Sequence, residues 1–212
     1  MERVKNLVLK TEKDFGKEID TCQKEIEVLA KLKKQINILA RFYISAKEPK
    51  LVLRYRIDSL FLIEAFKFLV AGPEEALRMV SGIVIEDNHY VLDRLVKVDY
   101  QASIVAAKAN IKDMFTKLIE LDEKHGHLLL AVFHSHPFNG VAGTCPSGID
   151  RNLQENLEKS GYKVIQAIFA RDGHIRFFSN TLKFEIDTYG KGVNKLSAKE
   201  NETIFKLEEI KI

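Results

Sequence analysis

The chain has 212 residues, 46% of them apolar, with 33 Lys plus Arg against 30 Asp plus Glu and a formal net charge of +3. That supplies one medium-sized core, excludes wholesale disorder, and is too evenly charged to point to nucleic acid. No apolar run approaches the roughly 20 residues a membrane-spanning helix needs, no signal peptide opens the chain, and Cys22 and Cys145 are too far apart to suggest a disulfide framework, so the expectation is a soluble, reduced, cytoplasmic protein without membrane or nucleic-acid partners.

From Lys17 to Ser45 there is no Gly or Pro, and apolar residues fall at Ile19, Cys22, Ile26, Leu29, Leu32, Ile36, Leu39 and Tyr43. Steps of three and four predict one long amphipathic helix. It either packs on its own domain or forms a coiled coil with itself or with a partner subunit. Pro49 cannot continue a helix, which makes residues 46–50 the expected linker.

Beyond the linker the pattern mixes strands and helices. Leu51 to Ile57 reads as a strand, and Asp58 or Ser59 caps a helix over Leu60 to Val70 that the Ala-Gly-Pro stretch at 71–73 ends. Met79 to Glu86 and His89 to Val98 read as strands about the turn residues Asp87 and Asn88, and a second helix is expected over Ala102 to Lys124. Leu128 to Phe133 is a continuous apolar run, the pattern of a strand buried on both faces. A Gly- and Pro-rich loop reaches Pro146, a third helix follows to Lys159, and Tyr162 to Ala170 with His174 to Ser179 forms a hairpin. Residues 190–212 read as a polar tail, with order expected at most over Ile204 to Ile212.

The residues that carry chemistry lie between Phe133 and Asp150. His134 and His136 end the buried strand two residues apart, so both imidazoles point the same way. If Ser147 opens a helix, Asp150 stands one turn along it. Two imidazoles and a carboxylate are the ligand set of a catalytic zinc with a fourth position open for water. Each part also has a plainer reading: Ser147 to Asp150 alone is a helix cap, and His125-Gly126-His127, with the same His-x-His spacing, reads as ordinary surface. Cys145 reads as a small hydrophobe or an incidental loop thiol, with a reactive role as the alternative.

The run His134-Ser135-His136-Pro137 followed by Ser147-Gly148-Ile149-Asp150 resembles the JAMM motif of the MPN+ zinc metalloproteases, which include deubiquitinases and archaeal relatives. The family also has a glutamate seven residues before a glycine, a spacing that Glu75 and Gly82 match. Ten residues separate His136 from Ser147 here, where the usual pattern has seven; a loop absorbs such an insertion at small cost. The resemblance spans roughly residues 51–184 and implies an α/β (α+β) fold, an MPN/cytidine-deaminase-like mixed sheet flanked by helices. The expected organisation is an N-terminal helical extension and linker (1–50), a catalytic domain (51–189) and the tail.

It further implies zinc held by His134, His136 and Asp150, with Glu75 as general base and Ser147 donating to the oxyanion; Ser135 then has a supporting role. The implied activity is hydrolysis of isopeptide or peptide bonds that attach ubiquitin or a ubiquitin-like modifier. Processing of a sulfur-carrier protein by the same chemistry, and a non-catalytic scaffold subunit, are the alternatives. All five site residues are present, which argues against the scaffold.

Overall fold

The computed structural model describes residues 23–36, 52–97, 100–102, 107–109 and 111–208, and the chain divides into two compact units, Met1–Ile44 and Ser45–Ile212. In the first unit, residues 23–36 form helix α1, whose Ile26, Leu29, Leu32 and Ile36 are exposed. The rest of the expected helix, Cys22 and the 46–50 linker lie outside the described residues.

In the second unit β1 (Leu53–Asp58) leads directly into α2 (Ser59–Leu69), and the Asp58 side chain caps the helix by accepting from Leu60 N at 2.7 Å. Strands β2 (Leu77–Glu86) and β3 (His89–Val96) follow, then a small hairpin of β4 (Tyr100–Ala102) and β5 (Ala107–Ala109). Helix α3 (Ile111–His125) precedes β6 (Leu128–Ser135), and the helical turn α4 (Gly140–Gly143) precedes α5 (Gly148–Lys159). Five strands complete the unit: β7 (Ile165–Phe169), β8 (His174–Phe178), β9 (Phe184–Tyr189), β10 (Val193–Lys199) and β11 (Glu202–Leu207). Among the described residues, no helix is long and apolar enough to cross a membrane.

This architecture corrects the expectation of an MPN/cytidine-deaminase-like sheet flanked by helices. The second unit is a sheet-dominated α+β structure, built among the described residues on one nine-stranded sheet ordered β10-β11-β8-β7-β6-β2-β3-β1-β9. The sheet curls until its ends approach, with Phe184 N at the start of β9 donating to Glu200 O in the β10–β11 turn at 2.7 Å. The physical reason lies at the C-terminus, where residues read as a polar tail pair as β10 with β11 and β11 with β8, all antiparallel. The expected helix from Ala102 begins instead at Ile111, after the β4–β5 hairpin.

Two apolar layers fix the position of β6. On one face Phe133, Phe169, Phe177 and Phe205 pack in tilted and edge-to-face contacts with ring centroids 5.1 to 5.8 Å apart, in a core shared with Leu62, Phe66 and Leu69 of α2. On the other face Val132, Met79 and Val164 pack with Leu157 of α5. Side chains alternate along a strand, so His134 follows Val132 onto the face that carries α5. Gly82 is dictated by the same packing: a Cβ there would lie 1.8 Å from Val91 O and 2.8 Å from Leu130 Cδ1.

Candidate metal centre

β6 lies between β2 and β7 in the middle of the sheet, with Leu77 opposite His134 on one side and Ile168 opposite it on the other. Its C-terminal end is therefore held on both edges, and His136 N continues the pairing by donating to Phe169 O at 2.9 Å. Asp150 comes from the first turn of α5. The helix opens with a capping box in which Asp150 N donates to Ser147 Oγ at 3.3 Å and Ser147 N donates to Asp150 Oδ2 at 2.7 Å. Fully buried Gln166 of β7 anchors the same turn, its Nε2 donating to Asp150 O at 2.9 Å.

These two supports bring His134, His136 and Asp150 together, with ligand-type atoms all within 4.8 Å of one another. His134 Nε2 is 3.1 Å from Asp150 Oδ1, His136 Nε2 is 3.5 Å from Asp150 Oδ2, and the imidazole centroids are 5.1 Å apart. The carboxylate that caps the helix is the same one that faces the imidazoles, so the plain reading of Asp150 and the metal reading describe one side chain.

The donor set fits a metal ion. His136 Nδ1 lies 3.1 Å from Gly143 O, and a carbonyl can only accept, so the neutral ring carries its hydrogen on Nδ1 and turns a bare Nε2 toward Asp150. His134 Nε2 is buried and, despite the nearby carboxylate, has no aligned hydrogen-bond partner. A buried orphan of this kind is costly unless something else satisfies it. An ion shared by two ring nitrogens and a carboxylate does so. His134, His136 and Asp150 could therefore hold a metal ion.

Electrostatics tie Glu75 to the same point. Burial pushes its carboxyl above the ordinary value and the charge of Asp150 adds to this, while His136 and His134 pull the other way. Burial also opposes the charge on Asp150, yet His134, His136 and Ser147 hold that carboxyl far below its usual range. Burial disfavours a charge on His136, but Asp150, Glu75 and the Gly143 carbonyl raise its pKa above the usual imidazole value.

Glu75 sits two residues ahead of β2, buried with 8% of its surface exposed, whereas Glu74 is exposed. Ser135 positions it: Ser135 Oγ accepts from Ala76 N at 2.9 Å and Ser135 N donates to Ala76 O at 3.0 Å. The serine between the histidines thus clamps the residue next to Glu75. Ser147 is exposed at the helix start, and because its Oγ accepts from Asp150 N, its own hydrogen remains available to another acceptor.

Three features were misread or missed from the sequence. His127 is buried, with Nδ1 3.4 Å from Ser81 Oγ and 3.5 Å from Asp93 Oδ1, so of the histidines in the second His-x-His only His125 lies at the surface. Gln166 had one visible signal, a polar residue inside the apolar run of β7. Arg176 of β8, also buried, had the same signal, a charged residue among Ile175, Phe177 and Phe178. Cys145 is an exposed loop thiol 3.7 Å from Arg176 Nη2. No protein-family model and no curated protein matches this chain in sequence, so the reading of the site rests on its residues and their geometry.

Proposed function

We propose that the protein is a zinc-dependent hydrolase, that His134, His136 and Asp150 hold the ion, and that its substrate is an isopeptide or peptide bond at the C-terminus of a ubiquitin-like modifier. The observation that carries the hydrolase reading is the buried His134 Nε2, 3.1 Å from Asp150 Oδ1 yet without an aligned hydrogen bond, with the buried carboxyl of Glu75 electrostatically coupled to the same cluster. Two imidazoles and one carboxylate suit zinc among the common divalent ions. When bound, such an ion supplies Lewis acidity at neutral pH.

The remaining work belongs to the chain. Glu75, with a carboxyl pKa raised by burial, takes the proton of the attacking water and returns it to the departing amine. Ser147 offers its hydroxyl hydrogen to the oxyanion that develops on the substrate carbonyl. Ser135 holds the backbone that carries Glu75. The choice of modifier is supported by the resemblance of the His134 to Asp150 motif, and α1 is the segment available for a partner subunit or for self-association.

The test is incubation of zinc-reconstituted protein with isopeptide-linked conjugates and with C-terminally extended sulfur-carrier proteins, beside a chelator control. Chelator-sensitive cleavage of the conjugates supports the proposal. Cleavage of carrier extensions alone replaces its substrate, and no hydrolysis of any amide by zinc-loaded protein overturns it.

A further inference from the structure

The loop between β6 and α5 is tied down from a distant part of the sheet. Arg176, central in β8 and buried, donates from Nε to Thr144 Oγ1 at 3.2 Å and from Nη2 to Val141 O at 3.2 Å. Its Nη1 pairs with the carboxylate of Glu202 at the start of β11, one strand further from the site. Thr144 is fully buried and closes the turn on itself, its Oγ1 donating to Val141 O at 2.7 Å while Cys145 N donates to Ala142 O at 3.1 Å. Between Val141 and Thr144 lies Gly143, which sits against the Phe138 backbone so closely that a Cβ would come within 3.0 Å of it. Gly143 O is the acceptor for His136 Nδ1.

We propose that Arg176, anchored by Glu202, is a positioning residue for the metal centre: it fixes the 141–145 turn so that Gly143 O sets the tautomer and ring orientation of His136. The proposal rests on the metal reading of His134, His136 and Asp150. A partner that holds the second nitrogen of a ligating imidazole fixes which nitrogen is free to ligate, and its loss typically costs about 10- to 100-fold in metal affinity. Here that partner is a backbone carbonyl, whose place depends on what holds the turn. An arginine suits the task because its planar fork reaches the hydroxyl, the carbonyl and the carboxylate at once, which an ammonium cannot reproduce.

The experiment uses the full chain and two readouts. Zinc affinity is measured by competition with a chromophoric chelator, and the His136 tautomer is read from ring nitrogen shifts in metal-free protein at a pH that keeps the imidazoles neutral. Arg176→Lys keeps the charge facing Glu202 but loses the fork. Thr144→Val replaces the hydroxyl with a methyl and serves if the first variant does not fold. The expected result for a folded variant is an affinity about 10-fold lower or more, together with a shift of His136 from the Nδ1–H form to a mixture of tautomers. Folded variants with unchanged tautomer and unchanged affinity overturn the proposal. A wild-type chain that binds no zinc overturns the metal reading instead, and the tautomer measurement then decides the positioning role alone.

Discussion

A carboxylate ligand and a carboxylate base differ in what amide substitution does to them, and the site holds one of each. Glu75→Gln keeps size and hydrogen bonding but cannot take a proton at neutral pH, so turnover should fall at least about 100-fold while zinc content is unchanged. Asp150→Asn removes the charge between the two imidazoles and should weaken zinc retention as measured by chelator competition. Glu74→Gln is the control and should be near neutral, because that side chain is exposed. A dead Glu74 variant beside an active Glu75 variant would reassign the base. At this scale the sequence was readable where chemistry demands particular atoms at particular spacing, as at His134, His136 and Asp150. It did not name the partner where a side chain acts by bonding to backbone far along the chain, as Ser135 does with Ala76 and Gln166 with Asp150 O.

Burial on both faces made one strand legible, and exposure hid another. β6 announces itself because both its faces are covered, leaving an unbroken apolar run. β10 does not, because it is an edge strand whose Asn194, Lys195, Ser197 and Lys199 are exposed, as suits an edge that must not recruit further strands. β2 shows how one position can decide pairing: Gly82→Ala would drive a methyl into Val91 O, so we expect a loss of about 3 kcal/mol, read as a lower urea midpoint. The β6–α5 loop has a second attachment, Gly140 N donating to Asp172 Oδ2 at 2.9 Å beside His174 Nδ1 at 2.9 Å. Burial raises the Asp172 pKa, but His174, Gly140 N and Lys206 outweigh it and hold the carboxyl below its ordinary value. The unfolded state therefore takes up a proton more readily than the native one. Stability from this attachment is present above the ordinary carboxylate pKa of about 3.9 and is lost as pH falls through the lower native value. Denaturation midpoints measured down the acid range should fall less steeply for Asp172→Asn than for wild type, and parallel curves would show that the carboxylate contributes nothing.

At the scale of the whole molecule the two ends of the chain make opposite predictions. All five proposed site residues, from Glu75 to Asp150, lie in the unit Ser45–Ile212. A chain starting at Ala46 should therefore fold, bind one zinc and cleave a small generic amide substrate; a folded, zinc-loaded truncation without turnover would place α1 in the chemistry. Cutting the other end should be destructive, although its sequence looks dispensable. A chain ending at Tyr189 loses Ile204, Phe205 and Leu207, all buried in the sheet. Each is worth about 2 kcal/mol in burial, roughly 6 in all, against a total stability of about 5 to 15 kcal/mol for a domain of this kind. The cut also leaves Phe177 without Phe205 and Arg176 without the Glu202 carboxylate, an uncompensated buried charge. Calorimetry of the C-terminal truncation should show no cooperative transition near that of the full chain, and zinc retention should fail with it. A truncation that melts like the full protein and holds zinc would mean that β10 and β11 only decorate a sheet already complete at β8.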